Sequence, residues 1–87
     1  MEEYFVIVFR SRTQVIHFKN LLRDIGVETN IYSTPRAVHV GCGLSLKLER
    51  KDLIKAKELI RAYKPQSFVG IYGVKADGHS EHIMSVL

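Results

Sequence analysis

The chain has a single cysteine, no tryptophan and only two prolines in 87 residues. No apolar run approaches the roughly 20 residues that would cross a bilayer. Each scarcity excludes something. One thiol cannot close an internal disulfide, so the disulfide frameworks of small secreted domains do not apply and stability must come from a packed core. Without an apolar span no membrane partner is expected. The opening Met1-Glu2-Glu3 is acidic and lacks the basic stretch of a secretory leader, which makes the expected localisation cytoplasmic. Glycine-rich nucleotide fingerprints and P-loops are missing, as are a Ser-His-Asp set and paired carboxylates for acid–base work. His79 and His82 stand three residues apart, but two ligands do not make a metal site, so neither a metal nor a cofactor is expected.

Charge of one sign is also in short supply. Thirteen Lys and Arg stand against nine Asp and Glu, a net charge of +4. The basic residues are scattered among the acids, the pattern of a solvated surface rather than a nucleic-acid patch. The aromatic RNA-binding signature of a four-stranded sheet is missing too, so nucleic acid is not an expected partner.

What is present is clear periodicity. Tyr4 to Phe9 is an unbroken apolar, β-branched and aromatic run, which suits a central strand buried on both faces. Ser11 and Gln14 fit a capping box at a helix start. Val15, Phe18, Leu22 and Ile25 then recur at helical spacing, and Gly26 follows where a C-terminal cap glycine sits, predicting a helix over 12–25. Val27 to Ser33 alternates as a half-exposed strand. Thr34-Pro35-Arg36 reads as a turn. Alternation resumes from Val38 to Glu49, with Val38, Val40, Cys42, Leu44, Leu46 and Leu48 on one face. Twelve residues is long for one strand, so a bend is expected at Gly41 or Gly43. Arg50 to Asp52 opens a second helix, striped by Leu53, Ala56, Ile60 and Tyr63 and stopped by Pro65. A last strand covers Ser67 to Val74.

The order is β-α-β-β-α-β, an α+β, ferredoxin-like arrangement in which a four-stranded antiparallel sheet carries two helices on one face. Residues 1–74 are read as a single domain and 75–87 as a C-terminal tail. Strand 1 places large apolar groups on both faces, so the face away from the helices is a candidate homodimer surface.

Cys42 is the one candidate for covalent chemistry, and its pattern supports two readings. Alternation with Val40 and Leu44 points to a small buried filler, as free cysteines often are. The flanking Gly41 and Gly43 point the other way. Glycine inside a strand marks a kink or a close backbone approach, and a kink here could expose the thiol near free N–H groups, or a nearby cation such as Arg36 or His39, either of which favours the thiolate. Arg36, after Pro35, could also anchor an anionic ligand in the turn.

The stretches "LLRDIGVETNIYSTPR", "VGCGLSLKL", "KAKELI" and "FVGIYGV" resemble a small bacterial family of selenium/sulfur carrier-like proteins, over residues 4–74. The most specific part is the Pro35-Arg36 turn followed by Cys42-Gly43-Leu44. The resemblance implies that Cys42 carries sulfur or selenium as a persulfide or selenylsulfide, loaded by a donor protein and unloaded by an acceptor. It implies that Pro35, Arg36, Gly41 and Gly43 shape the binding surface and that no cofactor takes part. A resolving cysteine is missing, which favours a carrier over a thiol oxidoreductase. The competing reading is a non-catalytic regulatory or interaction module that dimerises through its open sheet face.

Overall fold

The computed structural model describes residues 2–38, 41–76 and 81–86. The elements are β1 (Glu2–Phe9), α1 (Arg12–Asp24), β2 (Asn30–Ser33), β3 (Leu44–Leu48), a 3-10 turn (Arg50–Asp52) running into α2 (Leu53–Tyr63), β4 (Phe68–Ala76) and β5 (Glu81–Ser85). All strands join one antiparallel sheet in the order β2-β3-β1-β4-β5. The expected β-α-β-β-α-β order is present, but the sheet has five strands rather than four. β4 runs past Val74, and β5 returns along it with Val74 opposite Ile83 and Gly73 opposite Met84. The stretch expected as a tail therefore supplies an edge strand. Its pattern is weak in sequence because an edge strand contacts one neighbour only, and Met84 is left 61% exposed.

β1 is the centre of the sheet, and its unbroken apolar run is explained by burial on both sides. Tyr4 through Phe9 are all buried. Phe5, Ile7 and Phe9 face the helices, where they meet Val15, Phe18 and Leu22 of α1 and Ala56 and Ile60 of α2. Phe9 and Phe18 pack with ring centroids 5.4 Å apart. Burying each ring contributes roughly 1.5–3 kcal/mol, so this pair is a large share of a small core. Tyr63, expected in the stripe, is half exposed; its ring leans edge-on against Phe18 and its hydroxyl lies 2.8 Å from His17 Nε2.

The ends of α1 follow from sequence. The Ser11 side chain accepts the Gln14 N–H at the N-cap. Gln14 does not complete the capping box. Its carbonyl oxygen accepts the Ser67 N–H at 2.8 Å and also the Ser67 hydroxyl, tying the start of α1 to the approach to β4. At the other end Gly26, at φ +85°, donates to the Arg23 carbonyl while Val27 donates to that of Leu22. Those two bonds form a Schellman cap. Ile25, expected in the buried stripe, is therefore a cap residue and is exposed.

The face away from the helices is buried at its centre, while Tyr32 beside it is 41% exposed. Tyr4, Val6, Val8 and Val74 form a second apolar cluster closed by Val38, and Val6, Val8 and Val74 have no exposed surface. Beside it Lys47 Nζ lies 4.6 Å from the Tyr4 ring centre and 4.8 Å from that of Tyr32. The large apolar groups on which the homodimer surface was expected to rest are covered by the chain itself.

Near the start of β1, Glu3 binds Arg50 and lies 3.7 Å from Lys75. The hydrogen bond from Arg50, helped by the charges of Arg50 and Lys75 and opposed by desolvation, holds the Glu3 carboxyl below its ordinary 4.5. A carboxyl whose folded value is lowered stabilises the fold when ionised, and that contribution is lost as pH falls through the folded value. Glu3→Gln is expected to reduce stability near neutral pH and to flatten the stability profile below about pH 4.5 relative to wild type. Urea titrations of both proteins across acid pH check this; parallel profiles would contradict it.

Candidate functional site

β3 begins at Leu44, so Cys42 lies ahead of the strand in which the alternation had placed it. The reason is backbone conformation. Gly41 and Gly43 both have positive φ, +97° and +90°, and a chain that turns twice in three residues cannot continue a ladder. Both positions expected as possible bends are bent. Counting alternation across them fails, and Val38 falls on the opposite sheet face from Leu44.

The loop is nonetheless fixed. The Cys42 N–H donates to the carbonyl of Phe9 at 2.9 Å, at the end of β1. The Thr34 N–H donates to the Gly43 carbonyl at 3.0 Å, and the Thr34 and Ser45 hydroxyls are 2.6 Å apart. The Cys42 side chain is half-buried against the helix-side core, with Sγ 3.6 Å from the Leu44 carbonyl oxygen. Cys42 is thus neither a fully buried filler nor a freely projecting residue: it is partly buried, packed at the margin of the core on a hydrogen-bonded loop.

The two glycines do different work. A Cβ built on Gly41 would come within 2.6 Å of Val8 Cγ1 and 2.9 Å of the Phe9 carbonyl oxygen, so the space at Gly41 is occupied by β1. A Cβ on Gly43 would meet nothing within 4 Å, so the space beside Gly43 faces outward. Of the other candidate residues, Pro35 is buried and its carbonyl accepts the Val38 N–H at 2.9 Å, closing a turn over 35–38. Arg36 is exposed at the corner of that turn. His39 and His79 lie outside the described residues, as does Val40; His82 lies in β5. Sequence reasoning missed Thr34 and Ser45, whose hydroxyl pair pins the loop to β3. No sequence signal pointed to it: in the alternation Leu44-Ser45-Leu46-Lys47-Leu48, Ser45 reads as outward-facing, yet it is fully buried.

Cys42 lines neither of two surface pockets found on the protein. Among the described residues no group of three or more His, Cys, Asp or Glu side chains could hold a metal ion, and no helix is long and apolar enough to cross a membrane. The chemistry this loop offers is that of one thiol: nucleophilic attack and disulfide-type exchange.

The chain belongs to the family described as "Putative Se/S carrier protein-like", whose model matches residues 4–72. The match runs from within β1 into β4 and includes the whole Cys42 loop. No curated protein and no solved structure matches the chain.

The difference between the glycines is measurable. Gly41→Ala combines an unfavourable φ with overpacking against β1 and is expected to cost about 2–4 kcal/mol. Gly43→Ala meets only the backbone term and is expected to cost about 1–2 kcal/mol. Urea denaturation of the two variants checks the order, and equal losses would refute it.

Proposed function

We propose that Cys42 is a carrier site on which sulfur or selenium rides as a persulfide or selenylsulfide between a donor and an acceptor protein. The observation that carries this reading is the placement of the chain's only thiol. Cys42 is partly buried on a hydrogen-bonded turn beside the end of the central strand, within the stretch matched by the carrier-like family.

The chemistry needs nothing the chain lacks. The Cys42 thiolate attacks the terminal sulfur of a donor persulfide. A sulfur–sulfur bond forms to Cys42, the donor's bond breaks, and its electron pair leaves on the donor thiolate, which takes up a proton. An acceptor nucleophile repeats the exchange on the sulfur now held at Cys42. With selenium in the terminal position the same displacement gives a selenylsulfide. No net oxidation occurs, so neither a resolving cysteine nor a redox cofactor is required.

The loop geometry suits such a hand-over. Attack on a persulfide needs the partner's sulfur in line with Sγ, and a backbone pinned at Phe9 and Gly43 holds Sγ in one place while that happens. The open space beside Gly43 lets a partner's chain come close to the sulfur. Arg36, exposed on the neighbouring turn, adds a positive charge that can steer an acidic partner. The competing module reading keeps less apolar surface to work with, since Val6, Val8 and Val74 on the face it needs are already buried.

Incubation with a cysteine desulfurase and radiolabelled cysteine is expected to leave label on the wild-type protein that is released by a reducing thiol. Cys42→Ser is expected to retain no label while keeping its stability within about 1 kcal/mol of wild type. Equal labelling of the folded variant would sink the proposal.

A further inference from the structure

At the other end of β1 a second surface feature has no part in the chemistry of Cys42. A pocket of 260 Å³ opens between the start of α2 and the β4–β5 edge. Its floor is apolar, built from Phe5, Leu53, Met84 and Val86, and its rim carries Arg50, Lys57 and Lys75 with one carboxylate, Glu3. Phe5 and Phe9 are four residues apart, so the pocket is roughly 13 Å along β1 from the residue that holds the Cys42 loop.

The charges around it do not balance. Glu3 is engaged by both Arg50 and Lys75, and Lys57 makes no ion pair with any described residue, so the rim carries two positive charges in excess. Glu3 also shows how this rim receives a carboxylate: the Arg50 Nε–H donates to it at 3.1 Å, while the guanidinium lies 5.2 Å from the centre of the Phe5 ring. Arg50 is thus held between Glu3 and the Phe5 ring, which leaves Lys57 as the rim cation without an ion-pair partner among the described residues. The other surface pocket mixes Glu28, Glu49 and Asp52 with Lys47 and Lys51 and makes no comparable selection by charge.

We propose that this pocket is a binding site for a small carboxylate with an apolar body. The hydrocarbon part lies on Phe5, Leu53 and Val86, and the carboxylate meets Lys57, within the positive field of Arg50 and Lys75. The volume falls below the roughly 300–1,000 Å³ of sites for drug-sized ligands, which limits the ligand to a short chain or a single ring. The site does not depend on the carrier reading of Cys42 and stands or falls separately.

Octanoate is a suitable probe, with octanol as its uncharged counterpart. Titration of the full-length isotope-labelled protein, followed by backbone amide shifts, is expected to give saturable changes at Phe5, Leu53, Gly73 and Met84 with Kd on the order of 1 mM. The amides of Cys42 and Gly43 are expected to stay in place. Octanol is expected to bind at least about fivefold more weakly, and Lys57→Glu to weaken octanoate at least about tenfold. Arg23→Glu, the same charge change outside the pocket, is expected to leave Kd within about twofold of wild type. The fold of each variant is read from the same spectra. No saturable shift with octanoate, shifts centred elsewhere, equal binding of octanol, or unchanged affinity in a folded Lys57→Glu protein would each overturn the assignment.

Discussion

The carbonyl of Phe9 and the amide of Arg10 stand at the end of the central strand, and the surrounding structure closes on them. The Cys42 N–H takes the Phe9 carbonyl, and the Arg10 N–H bonds the Ser67 carbonyl at 2.8 Å. One residue further, Ser11 caps α1, and Gln14 reaches from the first turn of α1 back to Ser67. The pairing of β1 with β4 slips between Val8 and Phe9, leaving Val69 as an extra residue in β4 at the same level. Loop, helix start and strand entry therefore share one short piece of backbone. Its position is fixed by Phe9, whose ring is fully buried against Phe18 and Phe68. Core packing on one side of the sheet thereby sets where the thiol stands.

This arrangement explains why the Cys42 loop needs both glycines although only one of them is crowded. A loop that must drop a backbone N–H onto the end of a strand has to approach that strand closely, and at Gly41 the approach leaves no room for a Cβ. It must then reverse to enter β3 in register with β1, which the positive φ of Gly43 accomplishes. Between two such turns a side chain is presented at the edge of the core, half in and half out. A residue on a regular strand would instead have been wholly inside or wholly outside.

Most of the fold was legible because it is written in period. The run from Tyr4 to Phe9, the stripe Val15-Phe18-Leu22 and the cap Ser11–Gly26 each carry a local signal that tertiary contacts reinforce. The segment from Val38 to Gly43 was not legible as drawn. Its residues alternate in sequence, but two glycines turn the backbone, and alternation has meaning only while the chain stays extended. β5 was missed for another reason: an edge strand with one partner needs little apolar pattern. Of the site, Cys42 and the bends at Gly41 and Gly43 could be named from sequence. The acceptor for the Cys42 N–H could not, because a main-chain carbonyl leaves no trace in residue type. The packing of Val38 against the second sheet face was hidden by the same two turns.

The account rests on Cys42 being reachable while the protein is folded. The most direct measurement is the rate at which a small alkylating reagent labels Cys42 in the native protein, taken across low concentrations of urea. The carrier reading needs an accessible thiol on this turn, and so predicts native-state labelling at a rate that does not change with urea below the unfolding transition. A rate that climbs with urea in step with global unfolding would place Cys42 in the sealed core and contradict the account.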